Sequence, residues 1–196
     1  TNTEGDIKKT VTWTPAQWSD WTWHQQNRIR TIEQLDEWID VTPDEREAFR
    51  QTHSIFRMGI TPYYAALMDR RDPMCPIRLQ AVPKMSETTI SRTDLEDPLG
   101  EERHMVVPGL THRYPDRALF YTNHNCAVYC RFCTRKRKVS DPKSMINKQA
   151  YDVIFDYLEN HPEINDVIIH LNGETDFICK KTANNFTFRH ILKPLV

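Results

Sequence analysis

The chain has 196 residues and a formal net charge of −1, so it has length for one domain or a small pair, and no global field draws it to nucleic acid or an anionic membrane. Its hydrophobic share of 39% and mean hydropathy of −0.66 are on the polar side, and no apolar run approaches the length of a membrane span. The start, Thr1-Asn2-Thr3-Glu4-Gly5-Asp6, has no basic n-region, no apolar h-region and no initiator Met; with five cysteines, three of them clustered, it reads as a cytoplasmic protein entered after its true start, or processed, in a reducing compartment.

Helix-start signals dominate the first third. Thr14-Pro15-Ala16-Gln17 offers an N-cap Thr, Pro at the first helical position and Gln in the capping-box place, and Thr42-Pro43-Asp44-Glu45 repeats the device with Glu. Trp18, Trp21 and Trp23 follow the first signal, Leu35 and Trp38 fall on a helical period in a further short helix, and Phe49, Ile55 and Phe56 follow the second. Thr61-Pro62 opens another helix through Ala65, Leu67 and Met68, so residues 14–69 read as a helical layer with its tryptophans in the core. From Arg70 to Pro115, prolines at 73, 76, 83, 98, 108 and 115 break any long element, and the stretch reads as an ordered connector. Ala118-Leu119-Phe120-Tyr121-Thr122 has the composition of a buried strand. Asn147 caps a helix with Tyr151, Ile154, Phe155 and Leu158 on one face, and Asp166-Val167-Ile168-Ile169 is the next strand. Strand, loop, helix, strand is one βαβ unit with parallel strands. The expected fold class is therefore α/β, with a helical region and connector over residues 1–115 and the sheet portion over 116–196.

The chemistry lies in the loop after the first of these strands, where Cys126, Cys130 and Cys133 form a C-x3-C-x2-C run. Three thiolates so close can hold three corners of a [4Fe–4S] cube and leave the fourth iron open for chemistry. A zinc site would need a fourth ligand from His112, His124 or Cys179. A disulfide role suits a chain with no secretory signal poorly, and three independent buried cysteines at this spacing is the weakest alternative. Arg113, Tyr114 and Arg117 cluster just before the strand, and guanidinium groups suit phosphate; surface ion pairing is the bland reading of the same residues. Phe132, between two of the cysteines, is placed for stacking or for shielding, and Tyr129 fits shielding as well. His124 reads as a hydrogen-bonding loop histidine, and Arg135-Lys136-Arg137-Lys138 as a solvated charge run.

The C-x3-C-x2-C spacing is the hallmark of the radical S-adenosylmethionine (SAM) superfamily. The flanks narrow the resemblance: Pro108-Gly109-Leu110-Thr111-His112-Arg113-Tyr114-Pro115-Asp116-Arg117 upstream and Cys133-Thr134-Arg135-Lys136-Arg137 at the end of the motif look like the lysine 2,3-aminomutase family, which includes glutamate 2,3-aminomutases. Trp21-Thr22-Trp23-His24-Gln25-Gln26-Asn27-Arg28-Ile29-Arg30 and Met58-Gly59-Ile60-Thr61-Pro62-Tyr63-Tyr64 are similar to its N-terminal region, so the resemblance spans about residues 13–169. It implies the first βα units of a truncated partial (β/α)6 barrel, and a [4Fe–4S] cluster, SAM and pyridoxal 5′-phosphate (PLP) as cofactors. It further implies Cys126, Cys130 and Cys133 as cluster ligands, Arg113, Tyr114 and Arg117 at the PLP phosphate, Phe132 near the SAM adenine, and Arg135 on the substrate carboxylate. The implied reaction moves an amino group from the α- to the β-carbon of an amino acid. Lysine is the default substrate, with a lean of the Cys130–Lys138 segment towards the glutamate branch. The implied partners are that amino acid and an electron donor such as flavodoxin or ferredoxin, in a homo-oligomeric full-length enzyme, with no nucleic acid and no membrane.

One departure qualifies the resemblance. Where the family carries a glycine-glycine-acid segment for the SAM amino group, this chain reads Leu171-Asn172-Gly173-Glu174. The lysine that forms the PLP Schiff base is expected beyond residue 196, so Lys180, Lys181 and Lys193 take no such role and no catalytic side chain is assigned. The expectation is an inactive front portion of an aminomutase. The rival is a non-catalytic Fe–S or zinc-binding structural or interaction fragment.

Overall fold

The computed structural model describes residues 12–122, 124–139, 141, 146–170 and 177–180. The expected glycine-glycine-acid position, with Lys181 and Lys193, lies outside them. The chain divides into two compact units, Thr1–Asp94 with Cys126–Arg137, and Leu95–Asn125 with Lys138–Val196. The division expected at residue 115 thus falls inside the second unit, and the cysteine run groups with the helices rather than with the sheet.

In the first unit, α1 (Pro15–Trp18) and α4 (Pro43–Thr52) begin as their capping sequences dictate. Thr14 and Thr42 accept the backbone N–H of Gln17 and Glu45, whose side chains reach back to the cap N–H, with Pro at the first turn of each helix. Between them stand α2 (Trp21–Gln26), capped by Asp20, and α3 (Ile32–Asp36), whose capping box uses Thr31 and Gln34. α5 (Pro62–Ala66) and α6 (Pro76–Ala81) again start on prolines, followed by a 3-10 turn at Met85–Thr88. Short helices of this kind are held by packing rather than by propensity. Ile29, Ile32, Leu35, Trp38, Ile39, Met58, Ile60, Met68 and Val82 form the core. Trp38 is buried and stacks on Trp13 at 5.5 Å, as expected of a core tryptophan, whereas Trp21 is 70% exposed.

Below this core Arg78 and Glu45 form a fully buried ion pair. Arg78 Nε donates to Glu45 Oε1 at 2.9 Å and its Nη2 to Oε2 at 2.5 Å, while Nη2 also reaches the Asp40 carbonyl and Nη1 the Arg70 carbonyl. Burial works to raise the Glu45 pKa, but the Arg78 and Thr42 hydrogen bonds outweigh it and hold the carboxyl below its ordinary value.

The second unit is a five-stranded mixed sheet in the order β1-β2-β3-β4-β5, made of β1 (Met105–Val107), β2 (Leu110–Tyr114), β3 (Arg117–Tyr121), β4 (Asp166–His170) and β5 (Phe177–Lys180). Only β3 and β4 are parallel, from Arg117 opposite Asp166 to Tyr121 opposite His170, and α7 (Lys148–Asn160) connects them as the expected βαβ unit. Asn147 caps α7 through the Ala150 N–H at 3.0 Å. Ile154, Phe155 and Leu158 pack on Ala118, Phe120, Val167 and Ile169, each large side chain contributing about 1.5–3 kcal/mol by leaving water.

The connector reading of residues 70–115 is corrected, because α6, β1 and β2 all lie within it. Pro76 and Pro108 start or turn elements there instead of breaking them. Val107-Pro108-Gly109-Leu110 is the β1–β2 turn, with Gly109 at φ +89° as a type II turn requires. β2 carries Thr111, His112, Arg113 and Tyr114, too polar a run to stand out as a strand.

Candidate metal centre

The cysteine run is laid against the helical unit by its backbone. Ile60 bridges Ile29 on one side and Val128 on the other, the Tyr129 N–H donates to the Gly59 carbonyl at 2.8 Å, and the Thr61 N–H donates to the Ala127 carbonyl at 3.1 Å. Residue 59 has to be glycine for this approach, since a Cβ there would stand 2.8 Å from the Tyr129 ring. Tyr129 is buried and stacks on Phe56. Arg28 Nη1 donates to both the Cys126 carbonyl at 2.8 Å and the Tyr129 hydroxyl at 3.2 Å. Beyond Cys130 the chain tightens into turns, with the Cys133 N–H on the Cys130 carbonyl and the Lys136 N–H on the Cys133 carbonyl.

Cys126, Cys130 and Cys133 are free thiols, half-buried on this loop. Burial pushes the Cys126 thiol up to about 11, with Cys133 and Cys130 adding to the rise and Arg28 and Arg135 opposing it. Burial and then Cys133 raise Cys130 as well. Burial thus favours the protonated thiol at Cys126 and Cys130 when no metal is bound. The Arg135 N–H points at Cys133 Sγ, at 3.4 Å. Among the described residues, no three His, Cys, Asp or Glu side chains gather as ligands of a single ion. A cube offers each thiolate a separate iron, so its three thiolates spread over three corners. Three free thiols on one loop, with a backbone N–H on one sulfur, are of the donor type that iron–sulfur clusters and zinc both take.

The other expected site residues are distributed as follows. Phe132 is 69% exposed beside the thiols, open to a stacking partner, and Arg135 is half-buried. In the sheet unit, Arg113, Tyr114 and Arg117 flank the Pro115-Asp116 turn between β2 and β3, at the opposite end of β3 from the segment that leads to Cys126. All three are exposed. Arg113 Nη1 donates to the Leu99 carbonyl at 2.6 Å, and Arg117 forms a two-point pair with its neighbour Asp116 at 3.1 and 3.0 Å. Both guanidinium groups retain N–H capacity for a phosphate, but a phosphate at Arg117 has to compete with that carboxylate. His124 is buried against the Tyr121 ring.

Sequence reading missed Arg131. It sits between two of the thiols, is 8% exposed, and grips Glu87 through Nε at 3.0 Å and Nη2 at 2.6 Å. The only signal in the sequence was a charged residue at the centre of a metal-binding spacing.

No family model matches the chain. Among curated proteins, an L-lysine 2,3-aminomutase of Acetoanaerobium sticklandii is 43% identical over 174 residues, which is 89% of this chain and 42% of that protein. The L-lysine 2,3-aminomutase of Clostridium subterminale is 44% identical over 154 residues, 79% of this chain and 37% of that protein. The chain belongs to the lysine 2,3-aminomutase family, matching an N-terminal portion of its members. It spans less than half the length of these relatives.

The glutamate 2,3-aminomutase of Clostridioides difficile is also similar, at 35% identity over 156 residues, 80% of this chain and 37% of that protein. No described helix is long and apolar enough to cross a membrane.

Proposed function

We propose that this chain is the front part of a radical SAM, PLP-dependent amino-acid 2,3-aminomutase, an isomerase that moves the α-amino group of lysine, or of glutamate, to the β-carbon. The observation that carries the reading is the loop itself: three free thiols, anchored by backbone bonds, in a chain homologous to aminomutases. Cys126, Cys130 and Cys133 would hold a [4Fe–4S] cluster with one iron left to SAM. When bound, the cluster and SAM supply one-electron chemistry at an unactivated carbon–hydrogen bond, and PLP supplies a carrier for the migrating nitrogen. The side chains bind and orient. Phe132 presents an open aromatic face to the SAM adenine, Arg135 a cation to the substrate carboxylate, and Arg113, Tyr114 and Arg117 N–H and O–H donors to the PLP phosphate. Buried Tyr129, backed by Phe56, closes the underside of the loop to water. The β3–α7–β4 unit is the start of a partial (β/α)6 barrel in this reading, and a flavodoxin- or ferredoxin-type protein would be the electron-donor partner.

The same three free thiols allow a second reading, a non-catalytic Fe–S or zinc-binding module. Anaerobic reconstitution separates the two. The aminomutase reading expects about four irons per chain with a cluster spectrum that changes on adding SAM, and its loss in Cys130→Ala. Stoichiometric zinc with no iron uptake, or a cluster indifferent to SAM, would sink it.

A further inference from the structure

We propose that the buried Arg131–Glu87 pair is a positioning device for the cysteine run, fixing the turn between Cys130 and Cys133 in advance of any metal. The inference rests on the cluster reading of that run.

Arg131 follows Cys130 directly and precedes Cys133 by two positions, so whatever fixes it fixes the spacing of both thiols. It is held from every side. Its backbone N–H donates to the Gln80 carbonyl at 2.8 Å. Nε is shared between the two Glu87 oxygens at 3.0 Å each, Nη2 donates to Oε2 at 2.6 Å, and Nη1 meets the carbonyls of Phe56 and Arg57 at 3.2 Å. The guanidinium also lies 4.6 Å from the centre of the Phe56 ring. Glu87 is fixed in turn, because its Oε1 accepts the Lys84 N–H at 2.9 Å in the 3-10 turn.

A planar fork suits this arrangement, and a lysine ammonium could make only part of it. Charge is balanced within the pair, so its effect on the thiols is geometric. A loop ordered before binding loses less freedom when three sulfurs must be held together, which favours metal capture. Tyr129, under Gly59 and beside Arg28, holds the Cys126 side of the run, and Arg131 holds the Cys130–Cys133 side. Arg131 touches no reacting atom in this scheme; it acts through the cysteines.

The test starts from the metal-free, reduced chain. Iodoacetamide alkylation is followed cysteine by cysteine by mass spectrometry in wild type, Arg131→Gln, Arg131→Lys and Glu87→Gln. Cys75, buried at the start of α6, reports on the helical unit as a whole. Loss of these charge-assisted bonds is expected to speed alkylation of Cys130 and Cys133 about tenfold or more while Cys75 stays protected, with Arg131→Lys restoring only part of the protection. After reconstitution, the Arg131→Gln cluster is expected to lose iron faster to a chelator and to give an altered electron paramagnetic resonance line shape. If the wild type takes up no iron, the cluster reading fails, and the alkylation rates still judge the pair. Unchanged rates at Cys130 and Cys133 in Arg131→Gln and Glu87→Gln would overturn the proposal. So would Cys75 opening in step with them in both variants, which would make the pair a support of the whole unit.

Discussion

Glu45 is a residue whose loss this chain should feel strongly. Its carboxylate answers Arg78, Thr42 and, at 3.7 Å, Lys84, all around a site closed to water. Replacing it with Ala strands the buried Arg78 charge, at an expected cost of about 3–5 kcal/mol, read from the urea midpoint. The pH dependence has a definite sign. Because the folded pKa lies below the ordinary carboxylate value, the pair's contribution is full above the unfolded pKa and is lost as pH falls through the folded one. The stability gap between wild type and Glu45→Gln is therefore expected to shrink from about pH 7 to about pH 3; a gap that stays constant would deny the pair its role. Residues of this kind mark the limit of sequence reading. Cys126, Cys130 and Cys133 were legible because their spacing is local, whereas Arg131 depends on Glu87, 44 positions away, and Glu45 on Arg78, 33 positions away. Nothing near either arginine in sequence announces its partner.

Helix starts were legible at the scale of elements for a physical reason. A capping box is a contract among four consecutive residues, and Thr14 and Thr42 honour it as their sequences indicate. The βαβ unit was legible too, since β3, α7 and β4 carry their own apolar faces. The β1–β2 hairpin was not, because β1 is three residues long and β2 ends in polar side chains that face solvent. Its turn is expected to be intolerant of change. Gly109 has φ +89°, and a Cβ there would stand 2.5 Å from Ile146 Cδ1, so Gly109→Ala combines backbone strain with overpacking. A loss of about 1–3 kcal/mol is expected, measured as a lower urea midpoint of the whole chain; a neutral effect would mean that Ile146 yields freely.

For the molecule as a whole, the 196-residue polypeptide is expected to give no aminomutase turnover even with its cluster rebuilt and SAM, reductant and PLP supplied. Amino migration needs the substrate held rigidly against the reacting group, and the described sheet offers one parallel strand pair. Chromatography of lysine and glutamate reactions for their β-isomers checks this. Multiple-turnover product from either would mean that far less enclosure suffices. Slow, uncoupled reductive cleavage of SAM is compatible with the same chain, since it calls only on the cysteine run.

The interleaving of the two units also constrains how the chain is made. Ile29 and Ile60 are both made before residues 127–129, which supply the partners of the outer side of Ile60, the Gly59 carbonyl and the Thr61 N–H. At about 5–20 residues per second, a ribosome takes on the order of several seconds to deliver them. A helical unit that folded in that interval would carry an unfilled strand-like slot, with Tyr129 absent from its place against Gly59 and Phe56. Such an edge accepts any extended segment in reach. The segment that carries the three thiols is thus the one that closes the fold of its own support.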